Sequence, residues 1–226
     1  MKYDNIFSAK FISRPNRFIA EVEINGKHEI VHVKNTGRCK EILTDGAKVY
    51  VQYSDNPTRK TKYDLISVLK GNELINMDSQ APNKVFAEWV NDGHFIKDIS
   101  LMKPECKYNN SRFDFYIESN EKKIFAEIKG VTLEENGVVM FPDAPTERGL
   151  KHIKELVECV KHGYEAYVFF VVQMGKCKYF TPNRKTHKEF ADALVLAKNN
   201  GVNIQAVNCV VTPCELKIDR SIQVRL

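Results

Sequence analysis

Nowhere in this 226-residue sequence is there an apolar run of the 18 residues that a membrane-spanning helix needs, and the residues after Met1 lack the apolar stretch of a signal peptide. Those two absences predict a cytoplasmic protein. The six cysteines (Cys39, Cys106, Cys159, Cys177, Cys209 and Cys214) include no pair at C-x-x-C spacing, and the six histidines form no zinc-ligand grouping with them. Zinc is therefore not expected, and free buried thiols are, since disulfides are rare in the cytoplasm. No glycine-rich phosphate loop occurs, which weakens a reading as an enzyme of small phosphorylated sugars. No helix-turn-helix reading head occurs either, so any DNA contact should be mainly backbone-directed and weakly sequence-specific. Internal repeats and low-complexity tracts are absent, which excludes solenoids and extended disorder.

What is present is ordinary for a folded chain: 43% hydrophobic, 28% charged and 10% aromatic residues. The 34 basic and 29 acidic side chains leave a net charge of +5. Residues 1–80 carry 13 − 10 = +3 and the remainder 21 − 19 = +2, so both parts can contribute to a basic surface. From Ile6 to about Ile75 the sequence reads as short β runs, Phe18–Ile24, His28–Val33, Val49–Tyr53 and Leu65–Leu69, punctuated by turn signals at Asn25-Gly26, Asp45-Gly46 and Gly71-Asn72. This predicts an OB-like barrel. Asp78–Asn83 reads as a boundary, giving domains 1–80 and 81–226. Beyond it the spacing predicts a helix over Asn83–Val90, strands over Ser111–Glu118 and Lys122–Lys129 joined as a hairpin, and a helix from the Asp143–Thr146 start to His162, with Pro145 in its first turn. A strand buried on both faces over Tyr167–Val172, a helix over Thr186–Asn200 and a strand over Asn203–Val211 complete an α/β (α+β) domain.

Chemistry concentrates in the hairpin. Side chains two apart in a strand share a face, so Glu127 and Lys129 point the same way, and antiparallel pairing can bring Asp114 beside them. Two carboxylates offer hard oxygen ligands to Mg²⁺ or Mn²⁺, and a neighbouring lysine can offset charge on a phosphate under attack. The alternative is a solvated ladder of cross-strand ion pairs. Glu-x-Lys alone does not decide between them, because Glu121-Lys122-Lys123 and Glu215-Leu216-Lys217 match as well. Only the Glu127 copy is expected to combine a β run, a strand-borne aspartate at hairpin distance and a capped helix downstream.

Longer motifs add a resemblance. Thr36–Lys40 (TGRCK), Asn56–Tyr63 (NPTRKTKY), Asp78–Asn83 (DSQAPN), Lys129–Glu134 (KGVTLE) and Phe141–Gly149 (FPDAPTERG) followed by Lys151-His152 resemble the sugar fermentation stimulation protein A family across nearly the whole chain. That resemblance implies an N-terminal OB fold, a C-terminal restriction-endonuclease-like domain of the P-D-(D/E)-x-K type, DNA as partner and a link to sugar, notably maltose, utilisation. The nuclease pattern falls on Asp114, Glu127 and Lys129, with Glu88 on the preceding helix as a fourth acid; Phe113 stands where the pattern has proline. Asp114 and Glu127 are the expected metal ligands. At the start of the second helix, Thr146, Glu147, Arg148 and Lys151 either face the scissile phosphate, aided by the helix dipole, or, for Glu147 and Lys151, form a surface i, i+4 pair. His152 reads as a packed or capping residue. On the barrel, Arg14, Arg17, Arg38, Lys40, Arg59, Lys60 and Lys62 are expected at strand ends and loops, where OB folds hold nucleic acid, with Phe18, Tyr50, Tyr53 and Tyr63 as stacking surfaces. Two functions stay open: a metal-dependent nuclease, or a catalytically silent DNA-binding regulator.

Overall fold

The computed structural model describes residues 1–35, 37–120 and 122–226. Thr36 of the TGRCK motif and Glu121, which belongs to the hairpin turn and to one Glu-x-Lys match, lie outside the described residues. Six strands open the chain: β1 (Ile6–Asn16), β2 (Ile19–Ile24), β3 (Lys27–Val33), β4 (Lys48–Tyr53), β5 (Tyr63–Lys70) and β6 (Glu73–Asn76). Their order is β3-β2-β1-β4-β5-β6, and parallel pairing of Val31 with Tyr63 and of Val33 with Leu65 closes the first five into an OB-type barrel. Alternation sets the interior: Ala20, Val22 and Ile24 are buried while Glu23 is exposed. Asn25 and Gly26 both have positive φ, 50° and 75°, as a two-residue hairpin turn between β2 and β3 requires. β1 was not among the expected runs. Its pairing with β2 slips twice between Phe11 and Asn16, and such bulges blur a period of two while bending the strand across both β2 and β4.

The rest of the chain forms α1 (Ala81–Asn91), β7 (Ile99–Tyr108), β8 (Ser111–Ser119), β9 (Lys122–Val131), β10 (Leu133–Glu135), β11 (Val138–Phe141), α2 (Glu147–Lys161), β12 (Glu165–Val172), β13 (Tyr179–Pro182), α3 (Lys188–Asn199), β14 (Asn203–Thr212) and β15 (Glu215–Val224). The nine strands make one mixed sheet in the order β10-β11-β13-β15-β14-β12-β9-β8-β7. β12 lies parallel between β9 and β14 and is buried on both faces. Its Val168, Phe170 and Val172 pack on the α2 and α3 side, whereas Phe169 and Val171 pack on the α1 side. Each such buried side chain is worth roughly 1.5–3 kcal/mol. Thr146 caps α2 by accepting a hydrogen bond from Gly149 N at 3.0 Å, so Pro145 lies before the cap and not in the first turn. The Glu215-Leu216-Lys217 match opens β15, so a β location does not by itself single out Glu127. No helix among the described residues is long and apolar enough to cross a membrane.

A buried polar seam joins the barrel to the larger sheet. Gln173 Nε2 donates to Asn76 Oδ1 at 2.9 Å and to the Asp78 carbonyl at 3.0 Å, and Asn76 Nδ2 donates to the Tyr3 hydroxyl at 3.0 Å. Residues 1–3 lie outside the barrel, against the large sheet, with Leu216 N donating to the Met1 carbonyl and Tyr3 N to that of Cys214.

Candidate active site

Glu127 points from β9 into the layer occupied by α2, the face on which Phe125 also packs, and is 2% exposed. A bare carboxylate there would carry a heavy desolvation cost. The sheet-facing stripe of α2, Gly149, His152, Ile153 and Leu156, brings a partner to it. His152, 4% exposed, sets Nδ1 2.5 Å from Glu127 Oε1, and Lys129 Nζ lies 2.5 Å from the same oxygen. A carboxylate only accepts, so Nδ1 of His152 carries the hydrogen. Glu127 Oε2 is buried and, among the described residues, has no hydrogen-bond partner. Burial pushes the Glu127 carboxyl up, but the hydrogen bond from His152 and the charge of Lys129 outweigh it, so the group titrates below the usual range.

Asp114 stands one position beyond the last paired residues of the hairpin, Phe115 and Ala126, and therefore across from Glu127. Its Oδ2 accepts from Ile128 N at 2.7 Å and its Oδ1 from Asn83 Nδ2 on α1 at 2.9 Å. Burial and then the charge of Glu127 hold its pKa above the ordinary aspartate value. The two carboxyls thus have pKa values pushed in opposite directions, a pattern common at functional sites. Gly130 permits the close approach of α1: a Cβ there would lie 2.7 Å from both Pro82 Cγ and Gln173 Oε1.

These groups line a cleft of about 780 Å³ between the first turns of α1 and α2, walled by Asn83, Lys84, Asp114, Lys129, Thr146 and Arg148 among others. The donor set fits a hard divalent cation. Two carboxylates, one with a buried oxygen left free, leave positions for water and phosphate oxygens, the arrangement Mg²⁺ favours. Among the described residues, no three His, Cys, Asp or Glu side chains group as a ready-made metal cage.

Other expected site residues are placed differently. Glu88 is not in the cleft. At about 100° per residue it sits roughly a quarter turn round α1 from Ala87, which does line it, and its Oε2 takes the Met1 amino group at 2.5 Å. Glu147 is 85% exposed, with His187 Nε2 3.6 Å away, and makes no pair with Lys151. Lys151 instead donates to the Asn110 carbonyl at 2.6 Å and lies 3.7 Å from Glu155. Arg148 is exposed at the cleft mouth, one turn from Lys151. His152, read from the sequence as a packing residue, is the contact that was missed. The signal was available: a histidine on the buried stripe of an amphipathic helix must find a polar partner.

The barrel residues divide in two. Arg14 is committed internally, its Nη1 donating to the carbonyls of Gly37 and Arg38 and its Nη2 to those of Arg17 and Asn35. Arg59 is likewise spent, gripping the buried Asp64 with both terminal nitrogens. Arg17, Arg38, Lys40, Lys60 and Lys62 are exposed. Phe18 is 48% exposed beneath the Arg17 guanidinium, whereas Tyr53 and Tyr63 pack edge to face at 5.5 Å and Tyr50 lies under Lys48.

Two family models match the chain, the SfsA N-terminal OB domain over residues 12–77 and the sugar fermentation stimulation protein RE domain over residues 80–215. A sugar fermentation stimulation protein homolog of Clostridium beijerinckii is 62% identical over 218 residues, 96% of each chain, and one of Ruminiclostridium cellulolyticum is 59% identical over the full length of both. Among solved structures, that of Pyrococcus furiosus SfsA in complex with Ca²⁺ superposes with a TM-score of 0.92 at 28% identity, covering 100% of this chain and 98% of that one. The OB-type barrel followed by a restriction-endonuclease-like domain is thus the architecture of both, and the chain belongs to the sugar fermentation stimulation protein family.

Proposed function

We propose that the protein is a metal-dependent enzyme that hydrolyses phosphodiester bonds in DNA, with residues 1–80 chiefly binding the strand and residues 81–226 carrying the chemistry. The observation that carries this reading is the buried, unpartnered Oε2 of Glu127, held across from Asp114 at the floor of an open cleft. An isolated carboxylate oxygen costs free energy unless something meets it, and a cation does so best. The Ca²⁺ in the Pyrococcus furiosus relative supports a divalent ion at this family's fold. Asp114 and Glu127 would hold it, Mg²⁺ or Mn²⁺ being the working ion. When bound, such an ion supplies charge neutralisation at the phosphate and activation of water.

The chain's own residues supply the rest. His152 fixes one Glu127 oxygen and so aims the other into the site. Lys129, 15% exposed and tethered to Glu127, offers an ammonium to the charge that builds on the phosphate oxygens in the transition state. Thr146 and Arg148, at the positive end of α2, orient an incoming phosphate. Exposed barrel lysines and arginines bind the backbone without reading bases.

The test is Mn²⁺ calorimetry together with a cleavage assay on single-stranded, double-stranded and branched DNA. Alanine at Asp114 or Glu127 should abolish metal binding and cleavage. Lys129→Ala should leave metal binding and lower cleavage by orders of magnitude. Absence of metal binding to the wild type, even with DNA present, sinks the nuclease reading. One observation favours a second reading, a catalytically silent DNA-binding regulator of sugar (maltose) utilisation genes: among the described residues no third metal-ligating side chain clusters with Asp114 and Glu127, the other acid of the cleft wall, Glu105, lying 3.3 Å from Arg112 instead. That protein would bind DNA and cleave none under any metal.

A further inference from the structure

Apart from the cleft, the barrel presents a second concavity of about 270 Å³, lined among the described residues by Arg14, Arg17, Arg38 and Lys40 with Asn16, Gly37 and Leu43, and by no acidic side chain. Four N–H groups of Arg14 hold the carbonyls of Arg17, Asn35, Gly37 and Arg38, tying the turn after β1 to the loop after β3. Among the described residues its buried Nε has no hydrogen-bond partner and no carboxylate pairs with its charge. One half-buried guanidinium thus serves as a strut that positions the exposed Arg17, Arg38 and Lys40 around a single hollow. Cationic side chains gathered this way raise one another's electrostatic energy until a phosphate or similar anion enters, Asp143, the acid packed against Gly37 of the wall, being engaged by the Arg38 backbone amide.

The hollow is also joined to the cleft. The Lys34 carbonyl accepts from Ser79 N at 3.2 Å, and Ser79 lines the cleft; Arg38 N donates to Asp143 Oδ2 at 3.2 Å, three residues before Thr146. Gly37 is packed so closely on Asp143 that a Cβ would lie 2.5 Å from Oδ2. The loop that builds the basic hollow therefore abuts both the α1 and the α2 sides of the cleft.

We infer that this hollow is a phosphate subsite, taking a phosphate of the strand whose scissile bond lies in the cleft and so fixing that strand across both domains. The inference rests on the cleft being a phosphodiester site. It predicts that Arg17, Arg38 and Lys40 act as a unit on affinity and leave the metal site untouched. The measurement is fluorescence anisotropy of a labelled oligothymidylate, with and without a 5′-phosphate, as a function of salt, for the wild type and the triple variant R17A/R38A/K40A. Loss of one neutralised phosphate should lower the slope of log affinity against log salt by about 0.7. Between roughly 50 and 200 mM salt, that removes about 2- to 3-fold of the wild-type affinity loss. Equal effects on both probes identify a backbone phosphate, and an effect on the phosphorylated probe alone identifies a terminal one. Thermal melting checks that the variant is folded, as exposed positions predict, and Lys40→Glu provides a single-site version expected to weaken binding in the same sense. An unchanged slope in the folded triple variant overturns the subsite whatever the metal result. A wild type that fails to bind Mn²⁺ while the triple variant still loses slope overturns the nuclease reading and leaves the subsite standing.

Discussion

Replacing His152 with alanine tests whether the helix α2 holds the carboxylate at the centre of the cleft. The substitution removes one of two donors to Glu127 Oε1 and a ring that packs edge to face on Phe113 at 5.9 Å. A hydrogen bond to a charged group contributes about 1.5–3 kcal/mol, and the emptied volume adds to that, so a total near 3 kcal/mol is expected. For a chain of this size each kcal/mol shifts the melting temperature by about 2–4 °C, giving a fall of about 6–12 °C. The second readout is the ion. At 100 times its dissociation constant, Mn²⁺ should stabilise the wild type by about 2.7 kcal/mol, or roughly 5–11 °C, and H152A should lose most of that rise because the flexible Lys129 alone then holds Glu127. Asparagine places its amide nitrogen where Nδ1 lies, as many bonds from the backbone, so H152N should recover much of the Mn²⁺ response. A lower melting temperature with an undiminished Mn²⁺ rise would show that His152 only packs, and a melting temperature equal to the wild type would refute the contact itself.

Arg59→Ala should destabilise the protein by about 1.5–3 kcal/mol, because Asp64 keeps only Lys34 and His32, whereas K60A/K62A should leave the melting temperature unchanged and lower DNA affinity; the reverse ranking by melting would contradict the assignment. Asp64 is buried, which raises its pKa, but Arg59 and Lys34 outweigh burial and depress it. Its contribution is therefore present above the unfolded value of about 3.9 and lost as pH falls through the folded one, so acid unfolding should be less steep in Arg59→Ala. Asp114 has the opposite sign: its pKa is raised, so stability present at low pH is lost as pH rises through it, and Asp114→Asn should raise the metal-free melting temperature near neutral pH. A metal-free Asp114→Asn melting below the wild type at neutral pH would show that the aspartate is not held against repulsion.

Much of the architecture could be read from local pattern. The Tyr167–Val172 run has apolar residues at every position because β12 is covered on both sides, and Thr146 caps α2 because its hydroxyl reaches the Gly149 amide. The short turn between Ser119 and Lys122 let the hairpin be read and with it the chance that Asp114 comes beside Glu127 and Lys129; the register, which puts Asp114 across from Glu127, comes from the pairing of the folded strands. Where the period of two fails, the sequence was silent. β1 is broken by bulges, and β7 carries exposed residues on both faces over Leu101, Lys103, Pro104 and Glu105, as an edge strand of the large sheet can.

Charged residues were the harder case, because sequence shows that a side chain carries charge and not whether that charge is already satisfied. Arg14 and Arg17 stand three apart in one basic stretch and read alike. Arg14 spends four donors on carbonyls that only the folded loop brings within reach, while Arg17 stays exposed over Phe18. Arg59 and Lys60 are neighbours, yet a buried aspartate five residues beyond Arg59 claims the one and leaves the other in solvent. Glu88 and Glu127 divide by the same rule in reverse. The first is neutralised at the surface by an amino group, and the second keeps one buried oxygen that no group among the described residues meets. Function on this fold is therefore sought where satisfaction is incomplete, at Glu127 Oε2 in the cleft and at the exposed cations that Arg14 gathers around one hollow.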